Sequence, residues 1–451
     1  MKRDNQTMLR GPLLKNMIRY TIPIILTSWL QLLFNAADLI VVGQANGSNS
    51  LAAVGATGAI TNLIVNLFIG LSVGAGVTVA HGLGGNDEEA VHRTIHTAIP
   101  AAAISGLFLT LVGVCLSKTF LIWMETPDNI LPLSTLYMQI YFGGMVFNMV
   151  YNFAASILRA AGDTQSPLKF LTIAGVVNVL LNLMFVHLFH MNVEGVALAT
   201  VISQAVSAVL VVRTLMRRTD ACRLELKKLR IYRPQLLRMI RIGLPAGIQG
   251  SMFSISNVMI QSSINSFGDV VMSGNTAAGN IEGFVFTAMN AFHQTAVNFT
   301  GQNVGAGQYD RVKRILWTSL ASVGVAGLAL GSLMYALGPQ LLSIYINDSA
   351  EAIGYGLIRM QYICAVYFLC GLMDVSTGAL RGMGASLVPM IISVLGVCGI
   401  RLLWIYTVFE AYPTPDCLYL SYGVSWVATF LAQFAAFWWV YRKHIRKAES
   451  L

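Results

Sequence analysis

Charge is what this chain has least of. Only 11% of its 451 residues are Asp, Glu, Lys or Arg, 55% are apolar and the mean hydropathy is +0.65. That balance excludes an ordinary soluble domain and points to a chain solvated mostly by lipid. Cysteine is scarce and unclustered: Cys115, Cys222, Cys364, Cys370, Cys398 and Cys417 form no CxxC pair and no Cys/His group. A zinc site and a disulfide framework are therefore not expected, and no metal or cofactor is implied. His187 and His190 stand at i, i+3 but have no third ligand. The glycines of 70–74 and 82–85 lack the strand and the Lys-Ser/Thr pair of a phosphate loop, and close helix packing accounts for them. No nucleophile, base and orienting group fall together, so an enzyme is not expected.

The net charge of +9 could suggest nucleic acid, but its distribution excludes that partner. Arg213, Arg217, Arg218, Arg223, Lys227 and Lys228 crowd the middle of the chain, and Arg442, Lys443 and Arg446 lie near its end. Acids such as Glu125, Asp128, Glu194 and Asp269 occupy the alternate connections. By the positive-inside rule this places both termini and the central linker in the cytoplasm. The first apolar run is too long for a removed signal peptide and lacks a cleavage site, so it is expected to stay as a helix.

Long apolar runs fall near 18–42, 52–80, 95–117, 131–157, 168–189, 195–216, 238–265, 276–301, 315–337, 354–379, 387–409 and 418–441. Each approaches the ~20 residues that a membrane helix needs. The runs also repeat. Pro12, Leu14, Met17, Ile18, Arg19 and Pro23 recur as Pro234, Leu236, Met239, Ile240, Arg241 and Pro245, an offset of 222. Leu158, Arg159, Gly162 and Pro167 recur as Leu380, Arg381, Gly384 and Pro389 at the same offset. The expected fold is an all-α integral membrane protein, twelve transmembrane helices in two six-helix lobes related by pseudo-two-fold symmetry. Its expected parts are an N-lobe over 1–217, a basic linker over 218–237 and a C-lobe over 238–451. Duplicated bundles of this kind are typical of secondary transporters.

Polar residues in lipid are costly, so they mark the faces that turn inward. Gln31, Asn35 and Asp38 share one face of the first helix at i, i+4, i+7. Asn62 and Asn66, Asn148 and Asn152, and Asn178 and Asn182 repeat the i, i+4 spacing, with Ser203, Gln204 and Ser207 on the sixth run. In the second half Gln249, Asn257 and Gln261 line the seventh run and Asn290, Gln294 and Asn298 the eighth. Asp38 is the one clear intramembrane acid of the first half, and its counterpart is Ile260. A helix conserved through duplication without its charge is what a dedicated proton or cation site would leave; the bland alternative is a packing aspartate held by Asn or Ser. Glu282 and Asp374 are candidates for contact with a cationic cargo. Asp374 is alternatively the partner of Arg401 in a structural salt bridge, and Arg359 is expected to snorkel at the outer interface.

The run Asn35-Ala-Ala-Asp38-Leu-Ile-Val-Val-Gly43 after Pro23 resembles the multidrug and toxic compound extrusion (MATE) family. So do Leu158-Arg159-Ala-Ala-Gly162-Asp163-Thr-Gln-Ser-Pro167 and Asn178-Val-Leu-Leu-Asn182. The resemblance implies a plasma-membrane exporter of amphipathic, often cationic small molecules in exchange for protons or sodium ions. It implies ion coupling at Asp38 with Asn178, Asn182 and Asn35. It leaves Gln31, Asn62, Asn66, Asn148, Asn152, Gln249, Asn257, Gln261, Glu282, Asn290, Gln294 and Asp374 as cavity candidates. Asn182 stands where many members carry a second aspartate, and Phe253 where the NorM-type branch carries a glutamate. The second departure points to the DinF-like branch and an N-lobe mechanism; proton coupling is expected rather than sodium, and a monomer is expected. A lipid-linked glycan flippase of the same superfamily is the alternative, and a channel or receptor a third.

Overall fold

The computed structural model describes residues 8–346 and 349–449, so both chain ends lie outside the described residues. Twelve long helices follow one another: α1 (Leu13–Gly47), α2 (Ala52–Gly84), α3 (Glu88–Trp123), α4 (Leu131–Gly143 and Met145–Ala160, bent by 48°), α5 (Gln165–Leu188) and α6 (Val193–Arg217). The second set is α7 (Arg233–Asn265), α8 (Asp269–Gly305), α9 (Tyr309–Ala336), α10 (Ala350–Gly382), α11 (Leu387–Phe409) and α12 (Pro415–Glu449). Among the described residues, nine helices are long and apolar enough to cross a membrane, ten with bent α4 taken as one span. The two beyond these, α7 and α8, carry Gln249, Ser254, Asn257, Gln261, Glu282, Asn290 and Gln294, which lower their hydropathy. Elsewhere apolar stripes face outward: on α3, Ile104, Leu107, Phe108 and Leu111 are each more than half exposed at i, i+3, i+4, i+7.

The duplication is visible in the backbone. Residues 145, 165 and 193 begin helical segments, and so do 367, 387 and 415, each 222 further on. Left-handed residues pair as Gly162 (φ 90) with Gly384 (φ 82), Gly47 (φ 82) with Gly268 (φ 92) and Asn86 (φ 54) with Gly307 (φ 69). The bend of α4 at Gly144 is matched by a 3₁₀ turn, Cys364–Val366, in α10. π-Helical turns close α5 at Met184–Leu188 and α11 at Ile405–Phe409. The offset is 222 for the first and last features and 221 between, so the register slips by one within α1 and α7. Asp38 therefore matches Ile260 or Met259, and either way no acid.

Packing forms two units, one over Leu26–Gly247 and one over Met8–Ile25 with the chain from Ile248 onward. The breaks fall inside α1 and α7, again 222 residues apart. In the first unit, helix backbones touch directly. A Cβ at Gly70 would collide with the Gly247 backbone, and one at Gly74 with the Met239 carbonyl. Arg238 bonds His81 Nδ1 at 2.7 Å. In the second unit, the start of α1 is fixed by Met17, Tyr20 and Ile24 packing on Ala291, Phe299 and Ile315. Thr21 Oγ1 also meets Thr295 Oγ1 at 2.7 Å.

Candidate functional site

In the first unit, Asp38 on α1 is half-buried between α5 and α6. An apolar cluster of Val42, Val186, Val193 and Val196 holds these three helix segments together beside it. Asn182 Nδ2 donates to Asp38 Oδ1, and also to Asn178 Oδ1 at 3.2 Å. Thr200 Oγ1 is 3.4 Å from Asp38 Oδ2 and 3.0 Å from the Val196 carbonyl. A hydroxyl has one proton, so Thr200 can serve only one of these acceptors at a time. Asn178 Nδ2 in turn reaches Thr200 Oγ1 at 3.5 Å. Asn182 Oδ1 is buried and has no hydrogen-bond partner. Among the described residues no basic side chain pairs with Asp38. The result is an acid held by an amide N–H and a hydroxyl, with the Asn178 and Asn182 amide oxygens in the same cluster, a group able to take up a proton.

Other first-unit candidates make no hydrogen bond to Asp38 among the described residues. Asn35, Gln31 and Asn62 are exposed on their helices, and Asn66 is half-buried. Asn148 and Asn152 pair with each other along α4, Nδ2 to Oδ1 at 2.9 Å. Thr200 was not singled out from the sequence. Threonine in a membrane helix is common, and only its proximity to Asp38 distinguishes it.

The second unit holds two buried polar clusters. In one, Glu282 on α8 accepts from Arg359 Nε at 2.8 Å and Nη2 at 2.7 Å, a bidentate pair. Arg359 Nη1 bonds Asn275 Oδ1 at 2.6 Å, and Tyr419 and Gln261 join the same asparagine at 3.1 and 3.0 Å. Arg359 therefore does not snorkel: its side chain is 11% exposed because an acid and two tyrosine faces, Tyr419 and Tyr422, receive it inside the bundle. Glu282 is thus ion-paired with Arg359.

In the other cluster, Arg381 donates to Gln249 Oε1 at 2.7 Å and meets His293 Nε2 at 3.2 Å. His293 Nδ1 lies 2.7 Å from the Asp374 carbonyl. A carbonyl only accepts and a guanidinium only donates, so these partners fix the proton on Nδ1. Gln249 and Gln433 both donate to Ser393 Oγ, at 3.0 and 2.7 Å. Asp374 is buried nearby and forms no ion pair among the described residues. The alternative pairing of Asp374 with Arg401 is not formed. Arg401 turns instead to α12, where it lies 4.1 Å over the Tyr422 ring and donates from Nε to Ser425 at 3.1 Å. Asn257 is exposed, and Gln294 donates to Asn290 at 2.9 Å.

Among the described residues no group of His, Cys, Asp and Glu could hold a metal ion. The sequence profile of the MatE family matches residues 23–184 and 245–407, once in each half. "Probable multidrug resistance protein YpnP" of Bacillus subtilis (strain 168) is 26% identical over 428 residues, 94% of this chain and 95% of that protein. "Multidrug export protein MepA" of Staphylococcus aureus (strain NCTC 8325 / PS 47) is 20% identical, covering 86% and 85%. Among solved structures, a crystal structure of "MATE in complex with MaL6" superposes with a TM-score of 0.90 at 19% identity, over 99% of each chain. One described as an "outward-facing conformation of a multidrug resistance MATE family transporter" gives 0.88 at 20% identity, also over 99% of each.

Proposed function

The chain belongs to the MatE family, and we propose that it is a proton-coupled antiporter of the plasma membrane, exporting amphipathic, often cationic, small molecules. The observation that carries this reading is the unpaired carboxylate of Asp38, held by Asn182 and Thr200. An ionised acid with no basic partner in a lipid-solvated bundle is poised to take up a cation, and a proton meets the need with the least rearrangement. Protonation frees the Thr200 hydroxyl to turn fully to the Val196 carbonyl and loosens the Asn182 bond. The Asp38 network thus has two arrangements, and a proton favours one. Coupling requires that cargo favour the other, since each ligand shifts the cycle only by its differential affinity for two states.

The same reading assigns Asn178 and Asn182 to ion coupling, with Asn35 at the approach to the acid. It assigns Gln31, Asn62, Asn66, Asn148, Asn152, Gln249, Asn257, Gln261, Asn290 and Gln294 to polar contacts with cargo, and Glu282 and Asp374 to contact with a cationic one. Basic connections orient both termini to the cytoplasm. Asn182, in place of a second acid, favours proton over sodium, and Phe253 favours the DinF-like branch. The protein works as a monomer in this account.

The test is ethidium transport by the purified protein in proteoliposomes. An imposed pH gradient is expected to drive ethidium against its concentration gradient, with proton movement in the opposite direction. A sodium gradient at equal pH is expected to drive none. Sodium-driven transport without proton movement would overturn the coupling assignment, and no transport under either gradient would overturn the function.

A further inference from the structure

The 222-residue offset that links the two halves also links two charged sites of opposite sign. Thr200, which contacts Asp38, corresponds to Tyr422, and Ser203 one turn on corresponds to Ser425. In the second unit these two α12 positions receive Arg401 from α11. Where the first unit sets an acid against this stretch of α6, the second sets a guanidinium against the matching stretch of α12.

Arg401 is unusual among the buried cations of the second unit. Arg359 has Glu282, and both Nη nitrogens of Arg381 have partners, in His293 and Gln249. Arg401 is 5% exposed and forms no ion pair among the described residues. Its one hydrogen bond there is from Nε to Ser425 Oγ, which leaves the Nη donors of the fork unused. Burying a guanidinium without a counter-charge is unfavourable, and the aromatic faces of Tyr422 and of Trp426 at 5.9 Å offset only part of that. Local backbone gives a second, independent sign. Arg401 lies in the one α-helical turn, Ile400–Trp404, between two π-helical segments, Val394–Gly399 and Ile405–Phe409. π-Bulges are rare and concentrate at functional sites.

We infer that Arg401, with Ser425, Tyr422, Trp426 and Tyr367, forms a subsite for an aromatic carboxylate. The unused Nη pair matches the two oxygens of a carboxylate. Tyr367 and Trp426, with ring centroids 5.1 Å apart, and Tyr422 supply flat apolar walls for the attached ring. The subsite extends the export reading above, on which its role in cargo recognition rests. It predicts that cargo includes aromatic acids and zwitterions as well as plain cations.

The test uses the full-length protein in detergent and two xanthene dyes followed by fluorescence anisotropy. Rhodamine 110 bears a free aryl carboxylate; rhodamine 123 is its methyl ester and lacks that charge. Arg401→Gln is expected to weaken rhodamine 110 binding by about tenfold or more, as the loss of a charge-assisted hydrogen bond requires. Rhodamine 123 binding is expected to stay within about twofold of wild type, the mark of a site that no longer discriminates the acid. Arg401→Lys, which keeps the charge without the fork, is expected to fall between. Should Arg401→Gln fail to fold, the wild type still decides: benzoate is expected to displace rhodamine 110 and benzamide is not. Equal loss for both dyes, no loss for rhodamine 110, or equal displacement by benzoate and benzamide would each overturn the subsite. Such a result beside intact pH-driven ethidium transport would remove this inference alone. Charge discrimination at Arg401 in a protein that moves nothing would remove the antiport reading instead.

Discussion

Asn182 donates from one amide nitrogen to the Asp38 carboxylate, 144 positions earlier in the chain, and to Asn178 one turn below on its own helix. The pair joins α1 to α5 and leaves Asn182 Oδ1 buried with nothing to accept. An acid at position 182 would change the character of this site. Two carboxylates in hydrogen-bond reach cannot both ionise without a cation between them. Asn182→Asp is therefore expected to bring sodium into the cycle: a sodium gradient, inert with the wild type, should drive ethidium in proteoliposomes. A variant that stays driven by protons alone would show that Asn182 does not set ion preference.

Much of this arrangement was legible in the sequence. Asp38 stood out because ionisable groups are rare in apolar runs, and Asn178 and Asn182 because i, i+4 spacing puts two amides on one face. The twelve apolar runs and their 222-residue repeat were legible as well, whereas the paired bends show only in the backbone. What was not legible were contacts between helices distant in sequence. Arg359 read as a snorkelling arginine because a depth count along α10 does not reveal Glu282 on α8. Asp374 and Arg401 read as possible partners by sign alone, yet Arg401 turns to α12 instead. The packing break at Gly247 was hidden for another reason. It depends on glycines whose role is visible only when a second backbone lies against them.

That backbone crossing makes a sharp stability prediction. Gly70, Gly74, Gly243 and Gly247 of α2 and α7 leave no room for a Cβ, and the obstructing atoms are backbone, which cannot rotate aside. Gly74→Val and Gly243→Val are expected to abolish recovery of monodisperse protein. Gly279→Ala, with open space around the position, is the control and should be recovered at wild-type yield. Size-exclusion chromatography of detergent extracts reads the outcome.

The Glu282–Arg359 pair predicts non-additivity. Removing one partner leaves the other charge buried, at a cost of about 3–5 kcal/mol, whereas removing both leaves none. Glu282→Gln and Arg359→Met should each lower the unfolding temperature in detergent. The double variant should unfold above Arg359→Met, in which the Glu282 carboxylate is left buried alone.

Outside the spans, the linker between α6 and α7 gives two pH-dependent expectations. Burial works against ionised Asp220, but the hydrogen bond and charge of Arg218 outweigh it and hold the carboxyl below its ordinary value. A lowered carboxyl stabilises the fold above its ordinary value and loses that contribution as pH falls through the folded one. Asp220→Asn should therefore lower the unfolding temperature at pH 7 and have less effect toward pH 3.

Cys222 lies in the same linker, where burial pushes its thiol up to about 12. At pH 7 roughly one molecule in 10⁵ would carry the thiolate that reacts. A maleimide is expected to label Cys222 only after denaturation, although the residue lies outside the membrane helices. Labelling of the native protein, followed by mass spectrometry, checks this.

The most direct measurement is gradient-driven ethidium transport by Asp38→Asn, reconstituted beside the wild type and matched for protein content and monodispersity. Asparagine keeps the size and an acceptor for Asn182 but cannot take up a proton. With a pH gradient imposed, the account predicts accumulation no greater than in protein-free vesicles, while ethidium binding in detergent persists. Accumulation at the wild-type rate by Asp38→Asn would contradict it.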